Sequence, residues 1–348
     1  MVGDMKNSIT AIDLFCGSGA VSEGLKAEGI QVLAAVDFDP ISCETYRINH
    51  PEVLLVESDI RTINPKSLIG GLSARLDLLV VCAPCQPFSS QNRKRSSDDP
   101  RADLVLESLK FIETLRPRAV FFENVRGIAL MGPMARLRDE LATLGYFLGS
   151  PRTINAAECG VPQRRERCIM IATEDPIATE AFYSSIQFQP RVSVRDVIGS
   201  LAPLSSGERD HGDSLHFARK HHDLVLERLG HIPKDGGSRS SLPERLQLGC
   251  HKGRINDFSD VYGRMKWDDV APTLTTGCTD LTKGRFVHPR DDRAITLREA
   301  ALLQSFPQHY RFFGNSGQIA RQIGNAVPVN MIRTLAPSLI QCLDSLKA

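Results

Sequence analysis

Short apolar runs and helically spaced apolar residues alternate along the first half of the chain. The apolar runs indicate strands near Ile9, Val32, Leu54, Leu76, Ala119, Phe147 and Cys168. The helical spacing indicates helices near Val21, Ser42, Leu104 and Met134. Strands that alternate with helices are typical of a doubly wound α/β sheet. The pattern therefore predicts one such sheet before residue 175.

The pattern changes after this region. Residues 191 to about 290 are rich in Gly, Ser, Pro, His, Arg and Asp, show little periodicity and include Trp267, the single tryptophan of the chain. A length of 348 residues also favours two domains over one. We expect a main domain over residues 1–190, completed by residues 318–348, and a second, smaller domain with a hinge over residues 191–317.

Charge and cysteine content indicate which kinds of binding, redox state and cellular location to expect. The net charge of +1 argues against nonspecific attraction to nucleic acid, so DNA contacts would have to come from local basic faces. Nine cysteines, an odd number, indicate reduced thiols rather than a disulfide framework. No apolar run is long enough to span a bilayer, and residues 1–8 lack a signal peptide's apolar core. We expect a soluble cytoplasmic protein.

The first predicted strand ends at a turn that contains Gly17 and Gly19, and a predicted helix follows. Such glycines let the backbone approach a ligand closely at a helix N-terminus. Asp37 ends the second strand about twenty residues later, where a carboxylate can bind a ribose hydroxyl pair. These residues predict a nucleoside-containing cofactor. A nicotinamide dinucleotide is the usual choice, but Asp13 precedes the glycines and no GxGxxG follows.

A proline-rich loop, Cys82-Ala83-Pro84-Cys85-Gln86-Pro87-Phe88-Ser89, follows the strand near Leu76. A thiol at this edge of an α/β sheet is a candidate nucleophile, and the flanking prolines restrict where Cys85 points. Two alternatives are a buried structural thiol and redox chemistry of the Cys82–Cys85 pair. The chain is about three times longer than a single thioredoxin-like domain, which disfavours the redox alternative.

Seven blocks of the chain together resemble the ordered motif series of the DNA (cytosine-5)-methyltransferases, of the bacterial and phage restriction-modification type. They are Asp13–Gly19, Ser58–Ile60, Pro84–Ser89, Glu123–Val125, Gln163–Arg167, Arg298–Pro307 and Gly324–Pro328. The resemblance covers the chain from Ile9 to about Val329. It implies a Rossmann-like sheet dependent on S-adenosylmethionine, with a target-recognition domain.

The resemblance implies four catalytic residues. Cys85 would add to carbon 6 of cytosine, because carbon 5 alone is too poor a nucleophile to accept a methyl group. Glu123 would donate a hydrogen bond or proton at ring nitrogen 3. Arg165 and Arg167 would lie on one strand face and contact the flipped base and its phosphate, whereas Asn124 would hold the Cys85 loop.

The resemblance also implies S-adenosylmethionine as cofactor. Asp37 stands where most members have glutamate, which shortens the reach to the ribose but keeps two acceptor oxygens. Asp59, with Ile60, would accept from the adenine amino group, and Asn325 would close the pocket. The implied cofactor-binding residues are Asp13, Phe15, Gly17, Gly19, Asp37, Asp59, Ile60, Pro84, Leu104 and Asn325.

The loop-rich second domain is the implied site of sequence recognition, and Pro272–Gly277 resembles a short element that such domains share. Candidate phosphate or guanine contacts are Arg239, Arg245, Lys252, Arg254, Arg264 and Lys266. Arg93-Lys94-Arg95 lies in a polar stretch that is a candidate lid or a solvated loop. The histidines between His211 and His251 are dense, but their spacing is not that of a metal site, and we expect no metal.

The resemblance therefore implies an enzyme that methylates carbon 5 of a flipped cytosine in a short double-stranded DNA sequence. Its expected partners are DNA at the nucleoid and a separately acting restriction endonuclease, and it is expected to be monomeric. Two alternatives stay open: a tRNA cytosine-5 methyltransferase, and a noncatalytic DNA-binding regulator on the same scaffold. Intact Cys85, Glu123, Arg165 and Arg167 disfavour the regulator.

Overall fold

Strands of the first half of the chain form one β-sheet. The computed structural model describes residues 8–70, 74–84, 102–130, 132–249 and 260–346. Its strands are β1 Thr10–Leu14, β2 Gln31–Asp37, β3 Leu54–Glu57, β4 Leu78–Val81, β5 Ala119–Val125, β6 Phe147–Leu148, β7 Arg152–Asn155 and β8 Glu166–Thr173.

The helices lie between and after these strands. They are α1 Ala20–Ala27, α2 Pro40–Asn49, α3 Leu109–Leu115, α4 Gly132–Thr143, α5 Pro176–Ser184, α6 Val194–Ile198, α7 Asp223–Gly230, α8 Leu297–Leu303, α9 Ser316–Asn325 and α10 Val329–Ser345. Short 3₁₀ helices lie at Ile60–Thr62, Pro65–Leu68, Ala102–Ser108, Arg126–Leu130, Ala156–Glu158, Arg239–Ser241 and Glu244–Leu246. Within the described ranges, no helix is long and apolar enough to span a membrane.

The sheet has the order β3-β2-β1-β4-β5-β8-β6, with β7 also paired to β8. Strands β1 to β5 are parallel to one another, and β8 is antiparallel to β5, β6 and β7. The order reverses between β1 and β4, which makes this the switch point where α/β sheets bind ligands. The carboxyl ends of the five parallel strands meet at this edge.

The predicted α/β class is confirmed, and each predicted strand is present. Strand β4 is buried along its whole length, as expected for a parallel strand covered on both faces. The helix predicted near Leu104 differs, because Ala102–Ser108 is a 3₁₀ helix that runs into α3. Strand β7 and helices α5 to α10 were not predicted.

The chain divides into two compact units. The first comprises Met1–Cys159, Glu166–Gln189 and Val329–Ala348, and the second comprises Gly160–Arg165 and Pro190–Pro328. Residues 160–165 and 318–328 therefore belong to the second unit, whereas the sequence placed both in the main domain. The first of these segments pairs its backbone with Ala271, which explains its assignment.

The second unit contains buried charges. Arg264 was a candidate DNA contact, but its side chain is fully buried. Its guanidinium donates to the carbonyls of Leu229, Ile232, His288 and Asp291 and pairs with Asp292. A buried charge needs such partners to offset its lost hydration. Arg264 therefore stabilises the unit's interior and is not available to DNA.

Candidate active site

The turn after β1 has the backbone of a ligand-binding loop. Phe15, Gly17 and Gly19 all have positive φ, at 62°, 53° and 90°. A positive φ is uncommon for a residue such as Phe15, and such strained residues cluster at ligand sites. A Cβ added at Gly17 would meet no atom within 4 Å, so the space over the turn is open.

Asp37 fixes this turn. One of its carboxylate oxygens accepts the Gly17 N–H at 2.8 Å, and the other accepts the Asp39 N–H at 2.9 Å. Burial raises the pKa of Asp37 above its usual value. Each oxygen keeps capacity for a further hydrogen bond, so the carboxylate can still bind a ribose hydroxyl pair.

Phe38 is a candidate residue that the sequence reasoning missed. Its ring is 69% exposed, although it follows the buried end of β2. An exposed aromatic ring beside a carboxylate at a strand end can stack on a purine. The signal was present in the sequence as an aromatic residue directly after the acidic residue at a strand end.

The Asp59–Ile60 segment follows β3. Both Asp59 oxygens bind Arg61, which lowers the pKa of the Asp59 carboxyl to about 2. Ile60 is buried, and its carbonyl accepts a hydrogen bond from the Lys110 ammonium at 2.6 Å. Pro84 and Leu104, expected to line the same pocket, are half-buried. Asp59 is therefore ionised and able to accept a hydrogen bond.

Asp13 differs from its expected role as a direct cofactor contact. Its side chain is fully buried, and one oxygen accepts the Ser22 hydroxyl at 2.8 Å. The Ser22 hydroxyl in turn lies 2.7 Å from that of Tyr46. A carboxyl with no exposed surface does not contact a bound ligand. Asp13 instead supports the glycine turn and α1 from inside the fold.

Glu123 and Arg167 form an ion pair at the end of β5. The Arg167 Nε lies 3.0 Å from Glu123 Oε1, and both side chains are largely buried. Val125 of β5 pairs in register with Arg167 of β8, which brings the two side chains together. Burial lowers the pKa of Arg167, and the Glu123 charge opposes that shift. The pair offers an acid and a cation in a site of low solvent access.

Asn124 anchors the start of the Cys85 loop, as expected. Its amide donates to the carbonyl of Ala83 at 2.9 Å, two residues before Cys85. Cys85 itself and the basic stretch Arg93-Lys94-Arg95 lie outside the described residues. Burial, and then the Glu123 charge, raise the pKa of the neighbouring Cys82 well above its usual value. Cys82 is thus a neutral thiol, which disfavours redox chemistry of the pair.

Arg165 and Asn325 lie in the second unit. Arg165 is 3% exposed, and its guanidinium donates to the carbonyls of Leu274, Gly324 and Ala326. Arg165 also precedes β8, so it is not on the strand face predicted to carry it with Arg167. Asn325 is the last residue of α9.

The remaining recognition candidates separate by exposure. Arg239 is buried, whereas Arg245 and Lys266 are exposed, and Arg245 pairs with Glu227. Lys252 and Arg254 lie outside the described residues. Across the described ranges, no three His, Cys, Asp or Glu side chains are grouped to hold a metal. His216, one of the dense histidines, is buried and hydrogen-bonded to Thr296 and Ala202.

A doubly wound sheet with a glycine turn and a strand-end carboxylate at its switch point defines a Rossmann-like fold of the class that binds nucleoside-containing cofactors. The family of C-5 cytosine-specific DNA methylases matches residues 9–341. The chain is 38% identical to the Type II methylase M.HgiDII of Herpetosiphon aurantiacus, over 96% of each chain. It is 30% identical to the Type II methyltransferase M1.HphI of Haemophilus parahaemolyticus, over 96% of this chain and 87% of that protein.

Solved structures show the same fold. The crystal structure of the Schizosaccharomyces pombe Dnmt2 methyltransferase superimposes with a TM-score of 0.64 at 19% identity, over 97% of this chain and 99% of that one. The chain belongs to the C-5 cytosine-specific DNA methylase family and is a DNA (cytosine-5)-methyltransferase.

Proposed function

We propose that the protein transfers a methyl group from S-adenosylmethionine to carbon 5 of a cytosine flipped out of a specific short DNA duplex sequence. The observation that carries this proposal is the buried Glu123–Arg167 pair at 3.0 Å. It stands at the end of β5, next to the Asn124 amide that binds the backbone leading to Cys85. An acid, a cation and the nucleophile's loop thus share one strand end.

The chemistry follows from these groups. The Cys85 thiolate bonds to carbon 6, and the electrons of the C5–C6 double bond make carbon 5 nucleophilic. Glu123, when transiently protonated, donates a hydrogen bond to ring nitrogen 3, where charge develops, and Arg167 binds the base carbonyl or its phosphate. After carbon 5 is methylated, its proton leaves to water near Cys85. The carbon–sulfur bond then breaks, which restores the ring and the thiolate.

The described residues fit S-adenosylmethionine. The turn of Gly17 and Gly19, which is open at Gly17, suits the methionine part, with Phe15 against the adenosyl end, and Asp37 suits the ribose hydroxyls. Phe38 and Asp59 offer a stacking face and an acceptor for adenine. Ile60, Pro84, Leu104 and Asn325 complete the proposed set. When bound, this cofactor supplies the methyl group.

The substrate and the biological setting follow from the relatives. M.HgiDII and M1.HphI are named as Type II enzymes, and we propose that this chain likewise serves a Type II restriction-modification system with a separately acting endonuclease. The second unit would choose the DNA sequence. Flipping the target base costs a few kcal/mol, which pocket contacts offset. The protein would act as a monomer on DNA in the cytoplasm, at the nucleoid.

The test is expression in a host without 5-methylcytosine, followed by bisulfite sequencing of its genome. We expect methylation at one short motif in the wild type and none in Cys85→Ala. We expect Glu123→Gln, which keeps the shape of the side chain, to slow methyl transfer by about 10²–10⁴-fold.

Methylation by Cys85→Ala at the wild-type level would contradict the covalent mechanism. A folded wild-type protein that binds S-adenosylmethionine but leaves the genome unmarked would contradict DNA as the substrate. Labelled methyl transfer to tRNA would then identify an RNA enzyme, and DNA binding without any transfer would identify a regulator.

A further inference from the structure

A buried histidine of the first unit contacts the glycine turn. His50 is the C-cap of α2 and is 1% exposed. Its Nε2 lies 3.2 Å from the carbonyl oxygen of Gly19, and its Nδ1 lies 3.1 Å from the Lys26 ammonium. Gly19 precedes α1 and Lys26 lies in its last turn. One imidazole ring therefore joins the end of α2 to both ends of α1.

The two neighbours of the ring determine which nitrogen carries the hydrogen. A lysine ammonium only donates hydrogen bonds, so Nδ1 accepts from Lys26, which also forms an ion pair with Glu52. A carbonyl oxygen only accepts, so Nε2 carries the hydrogen and donates it to Gly19. Burial, and then the Lys26 charge, lower the pKa of His50 to about 4. The ring is therefore neutral near pH 7.

The Gly19 peptide is held on both sides. Its φ of 90° lies in the left-handed region, and its N–H donates to the Cys16 carbonyl at 3.0 Å. Its carbonyl accepts the Glu23 N–H at 2.9 Å, and the second lone pair of the same oxygen is available to His50. Because a glycine N-cap has no side chain, it leaves the N–H groups of the first turn of α1 to a ligand.

The His50 ring is itself held in place. It packs against the Tyr46 ring, with the ring centroids 4.7 Å apart, and the His50 N–H donates to the Tyr46 carbonyl at 2.8 Å. The Tyr46 hydroxyl lies 2.7 Å from that of Ser22, which donates to Asp13 of β1. Buried polar groups in such a connected network rigidify the segments they join. The hydrogen bond to Gly19 thus comes from a fixed donor.

We propose that His50 is a positioning residue for cofactor binding, whose Nε2–H holds the Gly19 carbonyl and so keeps the glycine turn in the conformation that S-adenosylmethionine requires. This inference rests on the proposed cofactor-binding role of Gly17 and Gly19, and all of these residues belong to the first unit. Without this donor the Gly19 peptide gains freedom that the bound state must remove, which weakens binding. Lys26 acts through His50, because it selects the tautomer that donates.

The test is calorimetric titration of S-adenosylmethionine into the full-length protein at pH 8. His50→Gln can place an amide N–H near the position of Nε2, whereas the side chain of His50→Asn is too short. We expect His50→Asn to raise the dissociation constant by about 3- to 10-fold, the effect of one lost hydrogen bond, and His50→Gln to restore most of the affinity. The matched control is Asp77→Asn, which weakens the ion pair with Arg118 and should lower stability without changing the dissociation constant.

Nitrogen NMR of the histidine side chains tests the tautomer directly. The His50 signals, identified by their loss in His50→Gln, should show a protonated Nε2, an unprotonated Nδ1 and constant shifts between pH 6 and pH 8. An Nδ1-protonated ring would overturn the proposal, because Nε2 could not then donate to Gly19. Lys26→Met removes the ammonium and should give a mixture of tautomers, with a smaller rise in the dissociation constant than in His50→Asn.

A purely structural role would lower the melting temperature of His50→Asn and leave the dissociation constant unchanged, which overturns the proposal. Equal losses of affinity in His50→Asn and Asp77→Asn overturn it also, as does a fall in kcat at an intact dissociation constant, because His50 would then act on methyl transfer itself. If His50→Asn does not fold, Lys26→Met replaces it, and mixed tautomers with unaltered affinity contradict the proposal. A wild-type protein that does not bind S-adenosylmethionine contradicts the proposed function, whereas wild-type binding with unaltered variants contradicts this inference alone.

Discussion

Asp13 is a carboxylic acid enclosed in the core of the first unit. Burial raises its pKa to about 7, while the hydrogen bond from Ser22 opposes that shift. In the unfolded chain the same group ionises near its reference value of 3.8. Between these two values the folded state holds a proton that the unfolded state has released. Stability therefore falls as pH rises through this window, by about 1.4 kcal/mol per pH unit.

Asp13→Asn removes this ionisation and keeps an oxygen that accepts from Ser22. We expect the variant's advantage in free energy of unfolding over wild type to grow by roughly 3 kcal/mol between pH 5 and pH 8. Urea unfolding at the two pH values measures it. A variant with the pH dependence of wild type would show that Asp13 is already ionised in the fold at pH 5.

Asp77 provides a control in which the dependence of stability on pH has the opposite sign to that of Asp13. Although burial raises its pKa, hydrogen bonds from Thr10 and Arg118 lower it below the usual value. Its contribution is present above the unfolded pKa and is lost as pH falls through the folded pKa. Asp77→Asn should therefore destabilise the protein at pH 8. The two aspartates separate the effect of burial from that of ion pairing.

Helix α1 packs so closely on α10 that only glycine fits at the crossing. A Cβ at Gly24 would lie 2.7 Å from Ile332 Cβ and 2.9 Å from the Val329 carbonyl oxygen. We expect Gly24→Ala to destabilise the protein by about 1–3 kcal/mol despite its better helix propensity. Because α1 begins at the glycine turn, the variant should also bind S-adenosylmethionine more weakly by calorimetry.

The control for this change is Gly230→Ala at the exposed end of α7, where an added Cβ meets no atom within 4 Å. It should be neutral or stabilising by up to about 1 kcal/mol. If both substitutions had the same effect on unfolding, the close approach of α1 and α10 would not limit stability.

The elements found from the sequence are those whose pattern is local. Strand β4 is a continuous apolar run, and the turn at Gly17 has glycines where φ is positive. Strand β7 has a mixed burial pattern, and pairing with β8 defines it. Likewise the position of Asn124 could be predicted, because the block Glu123–Val125 ends an apolar strand. The burial of Arg264 and of Asp13, in contrast, depends on residues distant in the chain. Tertiary contacts, which no local pattern encodes, decided these roles.

The charge of the whole molecule hides an uneven distribution. The second unit carries 22 Lys and Arg against 16 Asp and Glu, and the first carries 20 against 25. The net charge of +1 is therefore the difference between a basic unit and an acidic one. Attraction to phosphates depends on local charge within about a Debye length. The basic unit should supply most of the salt-dependent part of DNA binding.

Exposed lysines in the two units test this assignment. Lys266 lies in the second unit and Lys66 in the first, and both side chains are exposed. Each phosphate contact releases counterions and adds about 0.9 to the slope of log K against log salt. We expect Lys266→Ala to reduce that slope by about one, and Lys66→Ala to leave it unchanged, when duplex binding is titrated between 50 and 200 mM salt. A slope reduced by Lys66→Ala and not by Lys266→Ala would place the phosphate contacts on the acidic unit, and DNA binding would then depend on a local basic face within the first unit.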